Sequence, residues 1–223
     1  MNKLITVCIA LIVAGCSADD GPAAGTLDVI LAGGTVYSGE DAQGTVADVG
    51  IVGDRIVAVG DLDDRETVQR IDVAGLAVVP GFIDIHSHAV RDEPGDGIFR
   101  WPDAENLIRQ GVTTVIGGPD GGSPLPITDT FAAIERAPAS VNFGTFVGHG
   151  SIREKIVGEE DRPPTDEELE FMRGEVSAAM EAGAYGLSSG LIYPPGRFAT
   201  TEEVIELAKV AAAYDGIYIS HLR

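Results

Sequence analysis

The feature that most restricts the fold is a change of pattern at Pro80. Beyond it, short apolar runs alternate with segments of helical period. Phe82 to Ile85 reads as a strand, Asp103 to Gln110 as a helix, Val112 to Ile116 as a strand, Ile127 to Arg136 as a helix and Val141 to Val147 as a strand. Thr165 and Glu168 form a capping box after Pro163-Pro164, and Leu169, Met172, Val176, Ala179 and Met180 follow as one apolar stripe, which is core and not a cofactor site. Ala184 to Leu187 is the next strand, Thr200 with Glu203 caps a helix reaching Tyr214, and Ile217 to Ser220 is the fifth strand. Strands alternating with helices predict a parallel sheet or barrel. A complete eight-fold α/β barrel takes about 250 residues, whereas 144 residues follow Val79. A parallel sheet also needs both faces covered, yet no helix follows the last strand before His221-Leu222-Arg223. The expectation is an α/β chain whose residues 80–223 form the first part of a TIM-like (β/α)8 barrel, truncated after about five strands; a self-contained open α/β sheet is the alternative.

Before Pro80 the chain reads as short β segments: Val29 to Leu31, Thr35 to Tyr37, Asp48 to Val52, Arg55 to Val59, Gln69 to Val73 and Leu76 to Val79, with Gly33-Gly34 and Gly53-Asp54 as turns. This predicts a small antiparallel unit over residues 27–79, which by itself carries no chemistry. The first residues resemble a targeting signal, with Lys3 followed by an apolar stretch from Leu4 to Ala14 that is too short to span a bilayer. Val13-Ala14-Gly15-Cys16 resembles the bacterial lipobox. That resemblance implies a signal peptide over residues 1–15, a lipid on Cys16 as the membrane attachment, and a polar linker over 16–26; an ordinary secretory leader with a chance cysteine is the alternative. Ser17 in place of Asp implies the outer membrane if the cell is Gram-negative, hence an exported lipoprotein on the periplasmic side of the envelope. Cys8 and Cys16 are the two cysteines of the chain, so disulfides and cysteine metal ligands are excluded from the mature protein. A formal charge of -20 repels nucleic acid and anionic surfaces, which sets nucleic-acid binding aside.

His86 and His88 close the strand that begins at Phe82, and a period of two puts both imidazoles on one face at its C-terminal end. An HxH pair there is either a metal-ligand pair or two half-buried strand residues. The chain has four histidines, and the other two, His149 and His221, also fall at ends of expected strands, which favours ligands gathered on one rim.

Pro80-Gly81-Phe82-Ile83-Asp84-Ile85-His86-Ser87-His88 resembles the opening strand of the amidohydrolase superfamily. Gly111 to Val115, Val147 to Arg153, Glu181 to Gly196 and Ile217 to Arg223 are similar, in order, to the second to fifth strands of N-acyl-D-amino-acid deacylases, the D-aminoacylases. The resemblance runs from Leu27 to the end. It implies a metallo-barrel preceded by a small β-sandwich domain built partly from residues 27–79, one or two Zn2+ ions, and hydrolysis of the amide bond of N-acyl-D-amino acids to a D-amino acid and a carboxylate. His86, His88 and His221 match the family's metal-binding histidines. Gly118-Pro119-Asp120-Gly121 departs from the family, which has a bridging cysteine at that place. Asp120 is either an oxygen ligand acceptable to zinc or a turn residue in a glycine-rich loop.

His149 and Arg153 after the third strand, and Ser188, Ser189 and Tyr193 after the fourth, stand where barrel enzymes place substrate-contacting groups. Arg153, Tyr193 and Arg223 suit the carboxylate of the substrate, or, for the arginines, salt bridging on an acidic surface. The family's proton-transferring aspartate lies on the last barrel strand and a further histidine ligand on the sixth, so the 223-residue chain alone is expected to be inactive. Two other readings stand beside this one: an amidohydrolase of cyclic amides, such as a hydantoinase or dihydroorotase, and a non-catalytic lipoprotein. The lysine that cyclic-amide enzymes typically carry on the fourth strand has no counterpart between Ala184 and Gly190.

Overall fold

A computed structural model describes residues 25–39, 42–90 and 96–222; the leader, Cys16 and Arg223 lie outside the described residues. The chain divides into two compact units, Met1–Pro80 and Gly81–Arg223, at the proline where the sequence pattern changes.

The first unit is one five-stranded sheet. β1 (Leu27–Val36), β2 (Thr45–Val52), β3 (Arg55–Gly60), β4 (Thr67–Asp72) and β5 (Ala77–Val78) follow in chain order, and the sheet order is β3-β2-β1-β4, with β5 also on β1. The two hairpin pairs are antiparallel as expected, but β4 and β5 run parallel to β1, so the unit is mixed. The reason lies in β1. Two short segments were expected there, but one ten-residue strand forms, with an irregularity between Leu31 and Gly34, where Gly33 takes φ +72°. That conformation suits a bulge glycine. The bulge divides the strand edge, so β4 pairs up to Ala32 and β5 pairs from Thr35. Asp48 fixes the bend by accepting the Gly33 N–H at 2.8 Å, with Arg70 Nη1 3.3 Å from its other oxygen. Leu27, Ile30 and Leu62 form the core of the unit.

The second unit contains β6 (Phe82–Asp84), α1 (Glu105–Ile108), β7 (Val112–Gly117), α2 (Ile127–Arg136), β8 (Asn142–Thr145), β9 (Val147–Gly148), α3 (His149–Ile156), α4 (Asp166–Glu181), β10 (Gly186–Gly190), α5 (Thr201–Ala212) and β11 (Ile217–His221). Every strand pair is parallel. β6-β7-β8 and β9-β10-β11 are each hydrogen-bonded in chain order. β8 and β9 are two parts of one run interrupted at Phe146, whose N–H donates to Gly117 O, while Thr145 O accepts from Tyr185 N–H. The expected third strand is therefore present, serving β7 with its first half and β10 with its second. Ile127, Val147, Ile152, Met172, Val176, Leu187 and Leu207 share the larger core. The α4 stripe is in that core, as its period required.

Helix ends follow local chemistry. Thr165 Oγ1 accepts from Glu168 N–H at 3.2 Å, and Glu168 Oε2 accepts from Thr165 N–H at 2.7 Å, giving the expected capping box. Arg162 adds two bonds to the same carboxylate. The segment expected as a helix from Asp103 to Gln110 winds for one turn, beginning after Ala104 with φ 44°. Thr165→Ala removes one half of the reciprocal cap and should lower stability by about 1 kcal/mol, read as a shifted midpoint in urea unfolding. The Glu168 pKa is held down to about 2, first by its bond to Arg162 and then by the Thr165 N–H. A depressed folded-state pKa means that this contribution is complete above the ordinary glutamate range and drains as pH falls towards 2. The Glu168→Gln and wild-type unfolding midpoints should therefore converge in acid.

Candidate metal centre

Three histidines and one aspartate meet at the C-terminal ends of the parallel strands. β6 stops at Asp84, whose Oδ1 accepts the His86 N–H at 3.1 Å, and Ser87 N–H donates to Ile116 O at 3.0 Å. His86 and His88 thus leave the strand end as a pair, ring centroids 5.7 Å apart, with both side chains more than half exposed. His221 is the last residue of β11, level with Gly190.

Asp120 lies between them. Its Oδ2 is 3.2 Å from His86 Nε2 and 3.4 Å from His88 Nε2, and its Oδ1 is 3.3 Å from His221 Nδ1. Ligand atoms of His86, His88 and Asp120 fall within 4.8 Å of one another. Oδ1 is buried without a hydrogen-bond partner. Among the described residues, the carboxylate faces the imidazoles and takes no hydrogen bond from the amides of its own loop.

The loop is held by contacts that the sequence did not reveal. Asp120 has φ 58°, followed by Gly121 at 79° and preceded across Pro119 by Gly118 at 68°, and aspartate tolerates the left-handed conformation better than most side chains. Ser188 Oγ donates to Gly118 O at 2.5 Å and accepts from Gly121 N–H at 3.1 Å. A Cβ on Gly121 would lie 2.6 Å from Gly190 N, and one on Gly190 2.0 Å from Asp120 O. Two glycines thus let the backbone carrying Asp120 rest directly on β10.

The other expected site residues divide into three groups. Tyr193 joins the histidines: its hydroxyl is 3.3 Å from His221 Nδ1, with the rings edge to face at 5.1 Å, and its side chain is half exposed. Ser188 and Ser189 are fully buried. Ser188 braces the Asp120 loop, and Ser189 Oγ bonds Tyr218 Oη at 2.6 Å and Ser220 Oγ at 2.9 Å, so both hydroxyls are engaged by the protein.

His149 and Arg153 face inward. They lie on α3, a helix not expected from the sequence, and both have 0% exposure. Glu203 holds them, with Oε1 2.9 Å from His149 Nε2 and Oε2 2.6 Å from Arg153 Nη1. Arg153 Nη2 also donates to Glu160 O and Arg162 O. Arg153, expected either to meet a substrate carboxylate or to form a surface salt bridge, is instead buried and paired with the Glu203 carboxylate. From the sequence, Glu203 is expected to partner Thr200 in a helix cap. Thr200 Oγ1 does accept its N–H at 3.1 Å, but the side chain turns inward because an unpaired Arg153 could not be buried. Burial by itself raises the Glu203 pKa, but the His149 and Arg153 hydrogen bonds and charges prevail and hold it below the usual range.

No protein-family model matches the chain. It is 39% identical over 219 residues to D-aminoacylase of Alcaligenes xylosoxydans xylosoxydans, covering 88% of this chain and 44% of that protein. It is 34% identical over 230 residues to N-acyl-D-aspartate deacylase of the same organism, covering 92% and 45%. The crystal structure of N-acyl-D-glutamate deacylase from Bordetella bronchiseptica, complexed with zinc and a phosphonate inhibitor that mimics the reaction's tetrahedral intermediate, superposes with a TM-score of 0.81 at 32% identity, covering 88% of this chain and 45% of that one. The chain spans less than half the length of the curated relatives it matches.

Glu203→Ala should leave Arg153 buried without its counter-charge, a loss of about 3–5 kcal/mol, visible as an earlier chemical-denaturation midpoint. Because the folded-state pKa of Glu203 is depressed, its contribution is present above the ordinary glutamate pKa and is lost below it, so the gap between wild type and variant should close as pH falls into the acid range.

Proposed function

We propose, from the premise that the chain belongs to the D-aminoacylase family of amidohydrolases, that it forms the metal-binding part of a hydrolase cleaving the amide bond of N-acyl-D-amino acids to a free D-amino acid and a carboxylate. The observation that carries this reading is the Asp120 carboxylate turned, in a left-handed loop, towards three imidazoles at one end of a parallel sheet. Support also comes from relatives named for removing acyl groups from D-amino acids and from a zinc-bound deacylase structure of similar shape.

The donor set fits Zn2+, which takes neutral imidazole nitrogen and carboxylate oxygen. A buried carboxylate oxygen without a hydrogen bond is the kind of atom that a cation completes. His86, His88, Asp120 and His221 would hold one or two ions. The two oxygens of Asp120 lie towards different histidines, Oδ2 the His86–His88 pair and Oδ1 His221. When bound, zinc supplies a hydroxide at neutral pH by lowering the pKa of its water, and it polarises the acyl carbonyl. Tyr193 fixes the His221 ring through its hydroxyl and edge contact while presenting an exposed face to substrate. Arg223 is assigned to the substrate carboxylate, a bidentate partner for guanidinium.

Five parallel strands in chain order, with helices between them, support reading residues 80–223 as part of a TIM-like (β/α)8 barrel, and the mixed sheet over residues 27–79 as part of a β-sandwich. The lipobox-like residues Val13 to Cys16 support export, lipid attachment at Cys16 and a periplasmic location; intact mass of the membrane-extracted protein should show loss of residues 1–15 and a diacylglyceryl-type mass increment.

The metal reading is tested on the full-length protein as purified. His86→Ala/His88→Ala should lose most bound zinc by elemental analysis, and Asp120→Ala should lose part of it, with the far-UV dichroism unchanged and D-amino-acid release from N-acetyl-D-amino acids reduced by at least a hundredfold. Full metal content in the folded double variant would overturn the ligand assignment.

A further inference from the structure

Beside His88 lies a cavity of about 460 Å³ that none of the assignments above uses, within the range of small-molecule sites. Its floor is apolar: Ile98 and Ala104 are buried at 4% and 2% exposure, and Leu107 lines it with them. Trp101, the single tryptophan of the chain, stands at its rim with 66% exposure. The recess is a built feature of the fold. Ile98 N–H donates to Ala89 O at 2.8 Å, and Gly97, at φ +59°, comes so close that a Cβ there would sit 1.9 Å from Ala89 O. Only a glycine lets the chain fold back at this point. The polar lining is Ser87, whose Oγ is engaged by the Ala89 N–H, together with His88 and Asn106. Among the described residues, no lysine, arginine, aspartate or glutamate lines the cavity; the Arg100 guanidinium lies 5.4 Å over the Trp101 ring without being part of the lining.

We infer that this recess is the acyl-chain subsite, taking the aliphatic chain attached to the scissile carbonyl. The inference rests on the hydrolytic reading above and adds the substrate class, medium-length straight-chain N-acyl groups. Two apolar groups flank the scissile amide of such a substrate, the acyl chain and the D-side chain. The D-side chain shares its carbon with a carboxylate, which needs a cation in direct contact, and among the described residues none lines the cavity, the Arg100 guanidinium being stacked on Trp101 outside it. The acyl chain carries no charge and begins at the carbonyl carbon that the metal ligands address. His88, which edges both the cavity and the metal site, puts the two in direct continuity. Each methylene entering the recess should strengthen binding about three- to fourfold.

Trp101 supplies a readout independent of turnover. Titrating the full-length protein with acetate, butanoate and hexanoate should give a saturable blue shift of tryptophan emission that is absent in Trp101→Phe, with hexanoate bound at least tenfold more tightly than acetate. In hydrolysis, the kcat/KM ratio of N-hexanoyl- to N-acetyl-D-alanine should fall about tenfold in Leu107→Asn, which places an amide on the apolar floor. Equal affinity for acetate and hexanoate, or a selectivity change that follows the D-side chain in N-acetyl-D-leucine, would overturn the assignment. A chain-length-dependent Trp101 shift without any D-amino-acid release would support the recess while removing the hydrolytic reading.

Discussion

Asp120 can face three imidazoles because its backbone takes the left-handed conformation inside a loop pressed onto β10. Gly121 and Gly190 leave no room for a side chain between the loop and the strand, and Ser188 closes the arrangement by bonding both sides of Asp120, at Gly118 O and Gly121 N–H. A residue in a sparsely populated backbone region persists only when its surroundings over-determine it. Here they do, through two close backbone contacts and two hydrogen bonds that hold the loop on either side of Asp120. His86 and His88 follow the end of β6, His221 ends β11 and Asp120 stands in the loop after β7, so the centre depends on the lateral order of the strands from β6 to β11.

A second constraint lies deeper. Glu203 at the start of α5 joins His149 and Arg153 on α3, and Arg153 extends the link to the carbonyls of Glu160 and Arg162. Three ionisable side chains with almost no exposure are tolerable only because each charge has a partner, since an isolated buried charge is strongly unfavourable. The cluster is carried by helices that pack on β10, with α5 also on β11 and α3 starting at the residue after β9. Its acidic member answers the basic ones without recruiting the surface, where the remaining excess of negative charge stays solvated.

What could be read in the sequence was what periodicity and local chemistry govern. The boundary at Pro80, the α4 stripe, the Thr165–Glu168 box, the span of α2 and the strand-end positions of His86, His88 and His221 follow from spacing and from side chains acting within a turn of themselves. What periodicity does not govern was less legible. The parallel pairing of β4 and β5 arises from a bulge inside β1, which a Gly33-Gly34 turn reading split into two segments. The start of α3 at His149 is masked by Gly148 and Gly150, residues that read as loop. β10, with its Gly-Leu-Ser-Ser-Gly sequence, lacks the branched residues of a strand and forms because its neighbours on both sides supply hydrogen bonds.

By itself, then, the sequence determined which residues are polar at strand ends, where helices begin and which chemistry the His-x-His pair can support, because these are properties of neighbours along the chain. The tertiary structure alone decided the direction in which each polar side chain points. Arg153 and His149 meet Glu203 from about fifty residues away and turn inward, Ser188 meets Gly118 from seventy, and Asp120 turns towards histidines on two distant strands. Such choices are set by which arrangement gives each buried charge an opposite partner, and that balance exists only once the strands are side by side.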